Sequence, residues 1–166
     1  MKILFIQTGG TIDKDYPQGP GAYAFQILEP AVKNILEKIN PTFEYKIISM
    51  FRKDSNDITD NDRKKLSDFC KKTTFEKIII THGTDTIIET AKFLSVIKNK
   101  TIILTGAFRP EKLKISDADF NIGFALGALN NAPNGVYIAM QGKLFLNDNV
   151  VRNKNGVYEE RKRNRK

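Results

Sequence analysis

Four short apolar runs constrain this chain more than any other feature. Ile3-Leu4-Phe5-Ile6, Ile78-Ile79-Ile80, the run over 101–104 after its leading Thr101, and residues 136–140 are continuously apolar rather than alternating. Strands read this way when both of their faces are buried. Helical patterns fall between them. Pro30 suits the first position of a helix on which Ala31, Ile35 and Ile39 repeat. Thr59 or Asp60 suits the cap of a helix running to about Lys72, with Leu66 and Phe69 inward. Ile87, Ala91 and Leu94 share one helical face. Ser116 or Asp117 opens a helix carrying Ile122, Ala125, Leu126 and Leu129. Residues 44–50 read as one more strand, followed by a polar loop over 52–57. Gln141-Gly142 turns the chain, so that 143–146 can return antiparallel. The pattern predicts an α/β fold: a doubly wound, mostly parallel sheet flanked by helices, a three-layer Rossmann- or flavodoxin-like arrangement with a C-terminal antiparallel hairpin.

A chain of 166 residues with an ordinary apolar share can bury one core, and no linker divides it. We expect a single α/β domain over 1–160 and a basic tail over 161–166. No run approaches the ~20 apolar residues of a membrane span. The sequence begins directly in a strand, with no secretory leader pattern before it. Cys70 is the single cysteine and sits in a helical pattern, as a small core residue does. Together these lead us to expect a cytoplasmic protein. A single histidine, His82, excludes a paired-histidine metal site, and no metal is expected. The net charge of +8 is concentrated at one end: residues 152–166 hold seven Lys/Arg against Glu159 and Glu160, so the body carries only +3. That is too little for a nucleic-acid binder, and nucleic acid is not an expected partner.

In sheets of this kind ligands bind outside the carboxyl ends of the strands. The residues just after the strands are Thr8-Gly9-Gly10-Thr11, Asp54-Ser55-Asn56-Asp57, Thr81 to Thr86, Thr105-Gly106 and Gln141. Hydroxyls, small residues and Asp-bearing turns thus share one rim, which suits a small polar ligand. The Gly-Gly step lets backbone N–H groups approach an oxyanion. A phosphate-binding P-loop and a G-x-G-x-x-G fingerprint are both absent. Thr84 and Asp85 could cap a helix, or could act on a substrate as hydroxyl and carboxylate. A threonine nucleophile needs a base, and His82 is the obvious candidate, although a packed histidine suits its position better.

Thr8-Gly9-Gly10-Thr11-Ile12 and Thr81-His82-Gly83-Thr84-Asp85-Thr86 jointly resemble the two signature stretches of bacterial-type L-asparaginases and asparaginase/glutaminases. Asp54-Ser55-Asn56-Asp57 resembles the substrate-binding turn between them. Thr105-Gly106-Ala107-Phe108-Arg109-Pro110 and Ser116-Asp117-Ala118-Asp119-Phe120-Asn121 resemble later segments of the same family. The resemblance spans residues 2 to about 160, the family's N-terminal domain only. It implies cofactor-free hydrolysis of a side-chain carboxamide to a carboxylate and ammonia. Thr11 would be the nucleophile and Gly10 part of the oxyanion hole. Tyr23, or alternatively Tyr16, would assist Thr11. Ser55 and Asn56 would hold the substrate α-carboxylate, where better-known members often carry glutamine at the second position. Asp85 would hold the α-ammonium, and Thr84 would join Asp85 and a lysine in a proton-handling triad. The family lysine maps onto Arg152, with Lys154 as the alternative.

Two further readings stand beside the enzyme. One is an amino-acid-binding module with little or no turnover, which Arg152 favours because an arginine stays protonated and cannot take a proton. The other is a partner-binding role for the basic end. The resemblance also implies self-association as a homodimer or larger homo-oligomer, with Phe124 and Leu144-Phe145 as candidate contacts beside a plain core role.

Overall fold

The computed structural model describes residues 2–20 and 24–162. Tyr23 and residues 163–166 of the basic tail lie outside them. Six strands form the main sheet: β1 (Lys2–Gly9), β2 (Glu44–Lys53), β3 (Lys77–Thr81), β4 (Thr101–Thr105), β5 (Gly135–Met140) and β6 (Lys143–Leu146). Their spatial order is β2-β1-β3-β4-β5-β6. The first five are parallel and β6 returns antiparallel on β5, pairing Tyr137 with Leu146 and Met140 with Lys143. This is the flavodoxin-like order, extended by one hairpin. A second small hairpin pairs Val151–Arg152 with Tyr158–Glu159.

Four helices, α1 (Ala31–Ile39), α2 (Asp60–Lys72), α3 (Ile87–Leu94) and α4 (Ala118–Asn131), cover both faces. Alternate residues of a strand point to opposite sides of the sheet. Ile3, Phe5, Ile79 and Ile103 therefore pack with Val32, Ile35, Ile122 and Leu129 of α1 and α4. Leu4, Ile6, Ile78 and Ile80 pack with Leu66, Cys70, Ile87 and Leu94 of α2 and α3. Two covered faces are the physical reason for the continuous apolar runs. β2 is an edge strand with exposed residues, so its sequence lacks such a run. It also continues to Lys53, into what reads as polar loop, and Ser55–Asp57 forms a 3-10 turn. Cys70 is fully buried, and burial pushes its thiol up to about 12. Phe145 belongs to the core, while Phe124 and Leu144 are only partly buried against it. No helix among the described residues is long and apolar enough to cross a membrane.

The helix starts show where local signals hold and where they are supplied from elsewhere. Pro30 occupies the cap of α1, one position earlier than expected, and offers it no side-chain acceptor. Asp13, from the loop after β1, accepts from the Ala31 N–H at 2.8 Å instead. At α4, Ser116 Oγ accepts from the Ala118 N–H, while the Asp117 carboxylate accepts from the Phe108 and Arg109 N–H groups. α2 has a complete capping box between Thr59 and Asp62. Lys53 at the end of β2 donates to Asp62 at 2.8 Å, and that bond with the cap bonds holds the carboxyl down to about 2. Thr59→Ala should therefore lower unfolding free energy by about 1 kcal/mol. A loss below a few tenths in urea titration would show that Lys53 alone secures this helix start.

Candidate active site

The connection after β1 leads to α1 on one face, and the connection after β3 leads to α3 on the other. β1 and β3 are neighbours, so their carboxyl ends diverge and leave a crevice at the switch point of the sheet. β1 ends irregularly: its register with β2 shifts between Gln7 and Gly9. The Gly10 N–H then donates to Lys53 O at 3.0 Å. Gly10 adopts φ 91° and ψ −177°, a region essentially restricted to glycine. A Cβ at Gly10 would lie 2.4 Å from Gly83 Cα, and one at Gly83 would lie 2.6 Å from Ser55 Cβ. The loops after β1, β3 and β2 are therefore in direct contact across the crevice. The turn after β4 joins them, since Gly106 lies against His82 O and the Thr84 methyl group.

This packing brings most of the expected residues to one place. Thr11 opens a 3-10 turn, Thr11–Asp13, and is partly exposed, as is Thr84. Ser55 is buried, and its Oγ has no hydrogen-bond partner among the described residues. Thr86, not Thr84 or Asp85, stands at the cap of α3, and its hydroxyl donates to Ser55 O at 2.6 Å. The capping role open to Thr84 and Asp85 from sequence is thus not theirs. Asp85 instead accepts from Arg152 Nη1 at 2.6 Å on Oδ1 and from the Asn56 amide at 3.4 Å on Oδ2. Arg152 also donates to Thr84 O at 3.4 Å. Lys154 is exposed in the same hairpin. Tyr16 is half-exposed and packs on Phe25, with ring centroids 4.3 Å apart. Tyr23 lies outside the described residues.

His82 is not available as a base. Its ring is buried, with Nδ1 against Gly83 O at 2.8 Å and Nε2 against Thr90 Oγ1 at 2.9 Å. Arg63 Nε donates to the same Thr90 hydroxyl, so that hydroxyl is free to donate to Nε2. This assigns the proton to Nδ1 and leaves both ring nitrogens engaged. Burial pushes the imidazole down to about 4. No group of three or more His, Cys, Asp or Glu placed to hold a metal occurs among the described residues.

The structure adds three residues that patterning did not mark. Tyr158 lies in a charged stretch with no periodicity, yet it is buried and its hydroxyl donates to Thr84 O at 2.7 Å. Phe108 and Tyr158, with their ring centroids 6.4 Å apart, both lie close to the Arg152 guanidinium, at 5.2 and 5.9 Å. Lys14, just past the Thr11 turn, pairs with Asp54 at 3.1 Å and holds that carboxyl below its ordinary value. Phe108 stands in a family-like segment, but no local signal gives any of the three its contact, because each acts only through a neighbour distant in sequence.

Fold and crevice together define a parallel-sheet α/β domain with a crevice bordered by hydroxyls and small residues at the carboxyl edge of the sheet. The chain belongs to the asparaginase family: residues 2–158 match the family model described as "Asparaginase, N-terminal". It is 28% identical to the glutaminase-asparaginase of Acinetobacter glutaminasificans over 162 residues, 90% of this chain and 49% of that protein. A shorter stretch of 71 residues, 42% of this chain and 17% of the relative, is 45% identical to a glutamyl-tRNA(Gln) amidotransferase polypeptide of Methanococcus vannielii. Among solved structures, the thermostable L-asparaginase of Thermococcus kodakarensis superposes with a TM-score of 0.82 at 25% identity, over 96% of this chain and 51% of that one. The chain spans about half the length of the glutaminase-asparaginase and of the solved L-asparaginase.

Proposed function

We propose that this chain is an asparaginase-like amidohydrolase, converting the side-chain amide of asparagine or a related small amide to a carboxylate and ammonia. One observation carries the reading: the Gly10–Gly83–Ser55 contact brings the two threonine turns together and leaves the buried Ser55 hydroxyl without a partner among the described residues. A buried unpartnered hydroxyl costs free energy unless a ligand takes it, and a substrate carboxylate would. Asn56 stands beside Ser55 and completes that grip.

In this reading Thr11 Oγ attacks the amide carbon. The C–N bond breaks, the threonine proton leaves with the nitrogen as ammonia, and water then hydrolyses the ester. The Gly10 N–H is taken by Lys53 O, so it does not serve the oxyanion as expected from the resemblance. The Thr11 N–H that follows the Gly10 turn takes that role in this reading, and one such donor is worth on the order of a hundredfold in rate. Thr84, next to Asp85 in the turn after β3, relays the proton through its hydroxyl in this reading. Arg152 stays protonated and stabilises charge rather than accepting a proton. The sequence resemblance assigns assistance at Thr11 to Tyr23, with Tyr16 the alternative. A homodimer in the cytoplasm, without cofactor, completes the proposal.

The test is ammonia release from L-asparagine, L-glutamine, D-asparagine and short asparaginyl peptides, with Thr11→Ala and Thr84→Ala alongside. Each substitution should lower turnover at least a hundredfold without lowering the melting temperature by more than a few degrees. Arg152 in place of a lysine supports the second reading, an amino-acid-binding module. Absent turnover across the panel, with L-aspartate still raising the melting temperature, would establish it instead.

A further inference from the structure

The carboxylate grip read at Ser55 and Asn56 contains no cation of its own, and two carboxylates stand next to it. Asp54 precedes Ser55 and caps the 3-10 turn, its Oδ1 accepting from the Asn56 N–H at 3.4 Å. Asp85 accepts from the Asn56 side-chain amide. A ligand carboxylate entering here is repelled by each uncompensated negative charge. Each of the two has a cation brought from far along the chain. Arg152 serves Asp85, and Lys14 donates to Asp54 Oδ2 at 3.1 Å from 40 residues away. The two cations that end β2 are committed elsewhere, Arg52 to Glu29 and Lys53 to Asp62. Among the described residues, Lys14 is therefore the one cation paired with Asp54.

The backbone fixes this pair in place. Gly9 lies opposite Lys53 in the sheet and the Gly10 N–H donates to Lys53 O, so the loop carrying Thr11 and Lys14 starts against the residue before Asp54. Lys14 itself is held in a short ladder opposite Ile27. Its ammonium thus reaches from the Thr11 loop to the Ser55 turn. The two side chains are 29% and 37% exposed, and a pair so hydrated contributes little to stability. What it changes is the charge that a ligand meets. The bond from Lys14, outweighing partial burial, holds the Asp54 carboxyl below its ordinary value, so that carboxyl is ionised at neutral pH.

We propose that Lys14 is a specificity-determining residue: by neutralising Asp54 it lets the Ser55–Asn56 turn accept a ligand that bears an α-carboxylate. This rests on the amidohydrolase reading for the place of the α-carboxylate, and on the Lys14–Asp54 pair for everything else. A strut that only tied two loops together would break equally from either end. A charge screen responds with opposite signs: loss of Lys14 exposes the ligand to Asp54, whereas loss of the Asp54 charge frees Lys14 to attract the ligand. Asparagine caps a turn as well as aspartate does, so Asp54→Asn keeps the local fold.

The test measures binding of L-aspartate and L-isoasparagine to the full chain by calorimetry. The second ligand is L-aspartate with its α-carboxylate replaced by a neutral carboxamide. Lys14→Gln should weaken L-aspartate roughly five- to tenfold, as one unit charge a few ångströms away in a partly hydrated site does, and leave L-isoasparagine within about twofold. Asp54→Asn should tighten L-aspartate about threefold or more, and the double variant should return to within about threefold of the unaltered chain. The proposal is overturned if Lys14→Gln weakens both ligands equally or neither, if Asp54→Asn weakens L-aspartate, or if the unaltered chain binds no L-aspartate. Ammonia release from L-asparagine separates this from the amidohydrolase reading. Lys14→Gln should raise KM for L-asparagine by the factor seen in binding and change kcat less. Hydrolysis with a KM that Lys14→Gln does not move keeps the amidohydrolase and sinks the screen. No hydrolysis of L-asparagine, with the opposite shifts in L-aspartate binding present, keeps the screen and sinks the amidohydrolase for that amide.

Discussion

Gly10→Ala should cost about 4 kcal/mol of stability and remove measurable turnover even under conditions where the variant is folded. Two independent terms add. The backbone at φ 91° and ψ −177° suits only glycine, worth about 1–3 kcal/mol for any other residue. The new methyl group would also stand 2.4 Å from Gly83 Cα and N, which are backbone atoms and cannot swing aside as a side chain can. Relief requires the loop after β1 to move off the loop after β3, at about 1–3 kcal/mol for an overpacked contact. That movement separates Thr11 from Thr84. Urea unfolding and ammonia release measure the two effects together. A variant within about 1 kcal/mol of the parent would mean that the two loops are not in contact in solution, and the proposed site would lose its foundation.

Asp13→Asn should act in the opposite direction, and only at higher pH. Asp13 is 3% exposed, and burial, outweighing its bond from the Ala31 N–H, pushes its carboxyl from 3.8 up to about 7. The folded chain therefore holds a proton that the unfolded chain releases between these values. Stability from this group is full below the unfolded value and is lost as pH rises to about 7, on the order of 4 kcal/mol in all. Asparagine keeps an oxygen for the Ala31 N–H and has no proton to lose. Asp13→Asn should thus match the parent near pH 4 and exceed it by several kcal/mol at pH 8. His82 runs the other way. Its value is lowered from 6.5 to about 4, so its contribution is present at neutral pH and is lost as pH falls through that window. The parent should show two opposing slopes that partly cancel between pH 4 and 6.5, while Asp13→Asn should show the His82 slope uncovered. Chemical denaturation from pH 4 to 8 reads both. An equal difference between parent and variant at every pH would show that Asp13 titrates as an ordinary carboxyl.

Much of the architecture is legible in sequence because burial on two faces leaves a one-dimensional mark. β1, β3, β4 and β5 are readable from unbroken apolar runs, and the return of β6 from the Gln141-Gly142 turn. The edge strand β2 is readable only as far as residue 50, since a half-exposed strand mixes polar and apolar residues. Local pattern misplaces the cap of α1 because its acceptor, Asp13, lies 18 residues away from Ala31. A similar limit applies to the site. Short strings such as Thr8-Gly9-Gly10-Thr11 and Thr81 to Thr86 name the residue types, but not which hydroxyls are free.

The sequence by itself determined the layering, the parallel sheet, the rim on which a ligand would sit and the family to which the chain belongs. These depend on periodicity and on short contiguous strings. Only the tertiary structure decided that His82 is sealed between Gly83 and Thr90, that Thr84 and Asp85 are released from capping, that Arg152 rather than Lys154 reaches Asp85, and that Tyr158 and Phe108 hold it there. The physical reason is the same in each case. Hydrogen bonds and ion pairs are set by distances of about 3 Å, and residues as far apart as 85 and 152 reach such distances only after five parallel strands have carried their ends to one edge.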